Sequence, residues 1–395
     1  MIETFFLFDT NIPNKSETDL LINPSIIGNC FQKLRHALRW GLENNEDALY
    51  CVCNETYQKK FNFDKLDKTI NEVFSQNIFL LYIDAEFEEE ININNNLSTI
   101  TGITNIISFI VIKPIFEHAL RILEAIPEDF SYWLPFLKSL APHSFILNSK
   151  TTESKYQHFV QIISPFRNAG NYLLTYLDSI ISQEFKNYKV WLIDDYSTDG
   201  GIEKVPDSPF LSKVINKERI YALQNILNTL LNGEFNDEDI VCLIDADDKL
   251  PHKFVFDIIN NVYMDDSVLM TYGCALIIGR MEKLGNAYTE KEFDYLRKST
   301  WKASHLRTFK YKVFKKLLNI DPTLNNLRDA QGNIIKMPYD MALLFPLMEL
   351  CGFKGVKFLN TPTYEYRIHD NNDQSINFEL QHLGEIEIRN KKPVI

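Results

Sequence analysis

Tyr188-Lys189-Val190-Trp191-Leu192-Ile193-Asp194-Asp195 is an apolar run that stops at two adjacent acids. Such a run predicts a buried strand whose carboxyl end carries charge. Upstream, Phe159-Val160-Gln161-Ile162-Ile163-Ser164 predicts another buried strand, followed by a turn over Pro165-Phe166-Arg167-Asn168-Ala169-Gly170. Tyr172, Leu173, Leu177, Ile180 and Ile181 then recur at helical spacing. Strand, helix and strand in this order make a βαβ unit, and such units build parallel sheets with a right-handed crossover. Ligands of these sheets bind beyond the carboxyl ends of the strands.

A third strand is predicted over Asp239-Ile240-Val241-Cys242-Leu243-Ile244, which runs into Asp245-Ala246-Asp247-Asp248. Three crowded carboxylates repel one another, and a divalent cation or a network of donors relieves them. Hard oxygen ligands suit Mg²⁺ or Mn²⁺. Standing alone, an Asp-x-Asp pair also describes a hydrated turn or a helix N-cap on Asp248. With Asp194-Asp195 it places two acidic strand ends on one sheet edge.

These stretches resemble the family 2 glycosyltransferases of the GT-A fold. The resemblance rests on Ile162-Ile163-Ser164-Pro165-Phe166-Arg167-Asn168, Leu177-Asp178-Ser179-Ile180 with Gln183, Ile193 to Gly200, and Leu243 to Asp248, in that order. It implies a mostly parallel, Rossmann-like α/β sheet flanked by helices, a nucleotide-sugar donor and a divalent metal. It further implies Pro165, Asn168, Asp194, Asp195 and Asp245 around the base and ribose, with Asp247 on the metal. Arg167 intervenes between Phe166 and Asn168, where the family has Tyr or Phe directly followed by Asn.

Farther on, Trp301 to Phe309, with its His305-Leu306-Arg307-Thr308-Phe309 run, resembles the acceptor-side stretch of a bacterial and viral branch, which implies acceptor or diphosphate contacts for His305 and Arg307. Asp340 to Glu349 resembles that branch's Asp-then-Pro-Met-Leu-Glu element. Asp340 takes the place of the catalytic base, with Tyr339 where the family often has Glu. Inverting transfer needs a carboxylate to accept the acceptor hydroxyl's proton while a metal stabilises the departing diphosphate. Asp340 also suits the N-cap of a helix over Met341 to Leu350. His305 and Glu349 are the next candidates for the base. Tyr364 to Ser375 resembles the closing Arg-x-His segment, implying His369 on the metal and Arg367 on the diphosphate side.

At 395 residues the chain exceeds the usual growth of a single core, so two domains are expected. We expect an N-terminal α/β domain over residues 1–150 and a catalytic domain over 151–395, joined at the polar stretch Leu147 to Lys155. In the first half, apolar runs at Phe5–Phe8, Ala48–Cys53, Ile78–Ile83 and Ile106–Ile112 alternate with a helical pattern over Phe31–Leu42, and Asn94 to Asn96 reads as a loop. The Ile78 run is expected to end at Asp84-Ala85-Glu86, either a solvated strand end or a second, degenerate acidic site.

The net charge of −12 and the lack of a long basic stretch speak against nucleic acid as a partner. Lys310, Lys312, Lys315 and Lys316, among Phe309, Tyr311 and Phe314, read as an amphipathic helix. No signal peptide or membrane span is read, because Ile106 to Phe116 is interrupted by Lys113 and Pro114 and falls far short of about 20 apolar residues. Six scattered cysteines read as reduced core thiols of a cytoplasmic protein. Two other functions stay open: a catalytically silent nucleotide- or glycan-binding module, and a nucleotidyltransferase. The latter wants a Gly-rich phosphate loop that Pro165 to Asn171 supplies poorly. UDP is favoured over GDP as the donor nucleotide.

Overall fold

The computed structural model describes residues 157–280, 282–369 and 377–395, together with strands and short helical pieces between residues 2 and 147. The chain divides into two compact units, Met1–Glu153 and Ser154–Ile395. The expected linker beyond Leu147, the Asn94 loop, and Asp370 to Ser375 lie outside the described residues.

The first unit contains a seven-stranded sheet. Its strands are β1 (Ile2–Phe6), β2 (Ala48–Val52), β3 (Leu80–Glu86), β4 (Glu89–Asn92), β5 (Leu97–Thr101), β6 (Asn105–Ile112) and β7 (Phe145–Leu147), in the order β1-β2-β6-β3-β7-β5-β4. The β3 strand runs through Glu86, so Asp84 and Glu86 lie within the strand rather than beyond its end, as the apolar pattern alone suggested.

The second unit is built on β8 (Val160–Phe166), β9 (Tyr188–Asp194), β10 (Leu211–Ile215), β11 (Ile240–Leu243), β12 (Met270–Ile277), β13 (Lys283–Leu284), β14 (Ser304–Lys310) and β15 (Val356–Tyr366). The order is β10-β9-β8-β11-β14-β12-β13, with β15 also pairing β12. Strands β10, β9, β8 and β11 form a continuous parallel block. At β14 the direction reverses, since β14 is antiparallel to both β11 and β12. The β8 strand extends through Pro165 and Phe166, two residues into the expected turn, because every one of its side chains is buried.

Helices α1 (Leu173–Ile181), α2 (Ala222–Asn232), α3 (Val255–Val262), α4 (Glu290–Asp294), α5 (Tyr311–Ile320), α6 (Tyr339–Gly355) and α7 (Phe378–Asn390) accompany this sheet. Leu223, Ile226, Leu227 and Leu230 recur at the spacing of one helical face, and they join Ile163, Ile193, Val241 and Leu243 in a single core. Each such side chain contributes about 1.5–3 kcal/mol by leaving water. From Met341 to Met348 every residue of α6 is buried, so this helix is enclosed on all sides and has no polar face.

Lys310 does not share the amphipathic helix expected for the basic group. It closes β14 fully buried, paired with Glu238 at 2.9 Å, and α5 starts one residue later. Among the described residues, Cys242, Cys274 and Cys351 are free thiols, the first two buried. No helix of the described residues is long and apolar enough to cross a membrane. The second unit is therefore a mixed α/β sheet flanked by helices, the architecture expected of the GT-A fold.

Candidate active site

A cavity of about 320 Å³ opens at the carboxyl edge of the parallel block. Its walls include Pro165 and Asn168 after β8, Asp195 after β9, Asp245 and Asp247 after β11, and Asp340 at the start of α6. Because β14 is antiparallel to β11, with Leu243 opposite Arg307, the beginning of β14 lies beside the end of β11 and brings His305 and Arg307 into the same cleft. His369 completes the set beyond β15.

Two loops are stitched together at one end. Asn168 Oδ1 accepts the Thr198 backbone N–H at 2.9 Å, and the Asn168 N–H donates to Ser197 Oγ at 2.9 Å. Asp199 takes the N–H of Gly170 at 2.8 Å and that of Gly201 at 3.1 Å. A methyl group placed on Gly201 would lie 2.4 Å from the Gly170 Cα, so neither loop admits a side chain where they cross. Asp194 does not line the cleft: its carboxylate accepts the Ser197 N–H at 2.8 Å and shapes the loop.

Asp195 is buried, and its oxygens accept the backbone N–H groups of Ile220 at 2.8 Å and Tyr221 at 3.0 Å, with the Asn216 amide at 3.2 Å. Tyr221 immediately precedes α2 with φ 68° and ψ 161°, a region adopted almost only by glycine and costing about 1–3 kcal/mol for another residue.

The three acids after β11 are relieved largely by donors from distant segments. Asp245 accepts the Tyr339 hydroxyl at 2.8 Å and lies 3.2 Å from His305 Nε2. Burial opposes its charge, but His305, the Arg307 charge and Tyr339 hold its carboxyl below the usual range. Asp248 accepts the Tyr364 hydroxyl at 2.8 Å and the Arg367 N–H at 2.6 Å, while Tyr364 also accepts the Asp245 N–H at 3.0 Å. Burial, then the charges of Asp247 and Asp245, push Asp248 well above the ordinary carboxylate range.

Asp247 is pushed up by burial and by Asp245, with His369 Nε2 2.9 Å from its Oδ2. A carboxylate strained by a like charge, beside an imidazole and open to the cleft, is a donor set that fits a hard divalent cation. Among the described residues no group of three His, Cys, Asp or Glu gathers as a metal site. Arg367 lies off the cleft wall. It donates to the Asp247 carbonyl at 2.9 Å, with its guanidinium 4.7 Å from the Tyr172 ring centre, and so braces the acidic loop.

On the opposite wall Arg307 donates to Asp340 Oδ2 at 2.7 Å and to the Ala303 carbonyl at 3.2 Å, with His305 Nε2 2.7 Å from its Nη1. Burial and the neighbouring guanidinium push the His305 imidazole down, and its ring stacks on Tyr364 with ring centres 4.5 Å apart. Asp340 is not the cap of its helix. That place falls to Pro338, and Asp340 Oδ1 accepts the N–H of the adjacent Met341 at 2.8 Å. Glu349, a reserve candidate for the base, is held by Arg297 at 2.5 and 2.9 Å and by the Val394 N–H at 2.9 Å, and it does not line the cleft.

The cleft also includes Arg219, Tyr221, Lys336, Tyr339, Tyr366 and Gln381, none of which the motifs single out. Tyr339 was legible only as a departure from the family pattern; here it is a ligand of Asp245.

The Glycosyl transferase family 2 model matches residues 161–318, the stretch that supplies β8 to β14 and, of the acids lining the cleft, Asp195, Asp245 and Asp247 but not Asp340. The amylovoran biosynthesis glycosyltransferase AmsB of Erwinia amylovora is 31% identical over 99 residues, covering 22% of this chain and 30% of that protein. The chain thus spans under a third of this curated relative's length. Among solved structures, S. aureus TarS 1-349 in complex with UDP-GlcNAc aligns with 14% identity and a TM-score of 0.39, covering 59% of this chain and 67% of that one. The mannosyltransferase PcManGT from Pyrobaculum calidifontis, in complex with GDP-Man and Mn²⁺, aligns with 16% identity and a TM-score of 0.40, covering 62% and 68%. Over residues 161–318 the chain is thus similar to the family 2 glycosyltransferases.

Proposed function

We propose that this chain transfers a sugar, with inversion, from a nucleotide-sugar to an acceptor hydroxyl, using Mn²⁺ or Mg²⁺. One observation carries the reading: a single cleft gathers Asp195, Asp245, Asp247, His369 and Asp340 from segments up to 174 positions apart (369 minus 195). Asp247 and His369 would hold the cation, which stabilises the departing diphosphate when bound. Asp340 is the base: its carboxylate stands on the cleft wall, oriented by Arg307 and by the first turn of α6. A UDP-sugar is the donor of first choice, and residues 1–150 form a separate domain without transfer activity. The name of the relative from Erwinia amylovora supports a transferase over a silent binding module.

Thermal melts against a panel of UDP- and GDP-sugars with Mn²⁺ test this. A true donor at a hundred times its Kd adds about 2.7 kcal/mol of stability. Donor-dependent stabilisation without hydrolysis or transfer to any acceptor in a glycan, lipid and protein panel would favour a silent module instead.

A further inference from the structure

Helix α7 carries its polar and apolar faces in reverse. Asn377, Gln381, Gly384 and Ile388 recur at i, i+4, i+7 and i+11, so they share one face of the helix. That face looks inward: Ile388 is fully buried, and Asn377 and Gln381 line the cleft. The apolar Phe378, Leu380, Leu383 and Ile386 are exposed instead. Inward positions ordinarily carry apolar side chains, because burying an amide without a partner costs about 1–3 kcal/mol. Here two carboxamides stand at the inward positions that overhang the cavity, where a ligand can satisfy them. Among the described residues the Gln381 amide has no partner of its own.

The helix is fixed in that position. Arg389 Nη1 donates to the carbonyls of Arg297 and Ser299 at 2.9 Å each, and Arg297 Nη1 donates to the Ile388 carbonyl at 2.9 Å. At Gly384 the helix backbone lies directly on Met337: a methyl group there would stand 2.9 Å from the Met337 carbonyl carbon and overlap its oxygen. Met337 is three residues ahead of Asp340, so Gln381, one turn before Gly384, is set on the wall that carries the base. Tyr366 lines the same cleft, its ring parallel to that of His305 with centres 6.1 Å apart. We infer that Gln381 recognises the acceptor and that the acceptor is a sugar, two adjacent hydroxyls of which meet the donor and acceptor ends of the Gln381 amide while its C–H face lies on Tyr366. This rests on the transferase reading above and names its acceptor class. A long-chain alcohol or an isolated Ser hydroxyl leaves one end of that amide unmet.

The test compares the full wild-type chain with Gln381→Met, which keeps the length and helix propensity of the side chain and removes both hydrogen-bonding ends. Each is loaded with Mn²⁺ and with UDP or GDP, whichever it binds. The probes, titrated by NMR, are the methyl pyranosides of glucose, galactose, mannose and N-acetylglucosamine, their deoxy analogues, and a short Ser-containing peptide. Wild type should bind at least one glycoside more tightly than its deoxy analogue. The variant should bind that glycoside about tenfold more weakly and lose the discrimination, while the nucleotide Kd changes by less than a factor of about two. Equal glycoside affinity in the two proteins, or a matching loss for the nucleotide, would overturn the inference. So would a wild type that takes the peptide but no glycoside, or neither. If wild type binds neither nucleotide, the transferase reading fails and this inference with it; nucleotide binding without glycoside binding sinks the acceptor alone.

Discussion

Arg307 Nη2 and Asp340 Oδ2 meet at 2.7 Å across 33 residues of chain, joining the antiparallel strand β14 to the first turn of α6. This pair orients the carboxylate that we assign as the base, and it separates two effects of substitution. Asp340→Asn keeps the side-chain shape and one acceptor oxygen, enough for the bond from Arg307 or the one from the Met341 N–H but not both. It touches none of the donor-side acids, so donor Kd should stay near wild type. Turnover should fall by roughly 10²–10⁴-fold. Near-normal kcat, with Kd and melting temperature measured on the same preparation, would remove Asp340 from the chemistry.

Metal dependence should follow Asp247 and His369, which face each other at 2.9 Å. Either Asp247→Asn or His369→Ala should raise the Mn²⁺ concentration needed for half-maximal UDP binding by at least about tenfold, roughly 1.4 kcal/mol. Calorimetry of UDP binding with Mn²⁺ and then with chelator reads this directly. Equal affinities in the two conditions would sink the role of the cation.

Gly201→Ala should be disproportionately costly for so small a change, because the new methyl would lie 2.4 Å from the backbone of Gly170. Overpacking of this kind costs about 1–3 kcal/mol. Since Asp199 ties both loops, the expected outcome is a lower denaturation midpoint together with weaker nucleotide binding. Gly332→Ala, where the added methyl meets nothing within 4 Å, serves as a comparison for loop substitution, though its φ of 84° carries a strain of its own.

Asp257 on α3 should make stability fall with rising pH. Burial pushes its carboxyl up to about 7, the nearby Glu184 adding to the effect and Lys253 opposing it, and Oδ2 has no hydrogen-bond partner. The folded chain thus keeps this proton to higher pH than the unfolded chain, whose value is near 3.8. The group's contribution is full below about pH 4 and is lost as pH rises through about 7. The gap of about 3 pH units sets a ceiling of roughly 4 kcal/mol. Asp257→Asn should flatten the melting temperature between pH 4 and 8, and an unchanged profile would show that Asp257 titrates normally.

The β8-α1-β9 unit and the acids after β9 and β11 were readable because apolar periodicity is local and a carboxylate at a strand end marks its own position. Partners of those acids were not. Tyr339 reaches Asp245 across 94 residues and Tyr364 reaches Asp248 across 116, distances over which no period survives. The resemblance marked His305 and Arg307, but not the reversal at β14 by which they enter from the beginning of a strand while Asp195, Asp245 and Asp247 follow strand ends. Asp340 looked like a helix cap because Asp favours that place, but the helix begins one residue earlier, at Tyr339. Arg219, Tyr221 and Lys336 carried no pattern. The backbone angle that makes Tyr221 unusual is invisible in a side-chain alphabet.

Tyr364 has a mechanical consequence. Its hydroxyl is bonded to both ends of the Asp245–Asp248 turn, while its ring rests on His305. One phenol therefore rivets the acidic turn to the start of β14, and any displacement of the turn on binding must carry the imidazole with it. Donor-side and acceptor-side walls would then respond as one lever with a single relaxation rate. Tyr364→Phe, which keeps the stack and removes the rivet, would split that response in two.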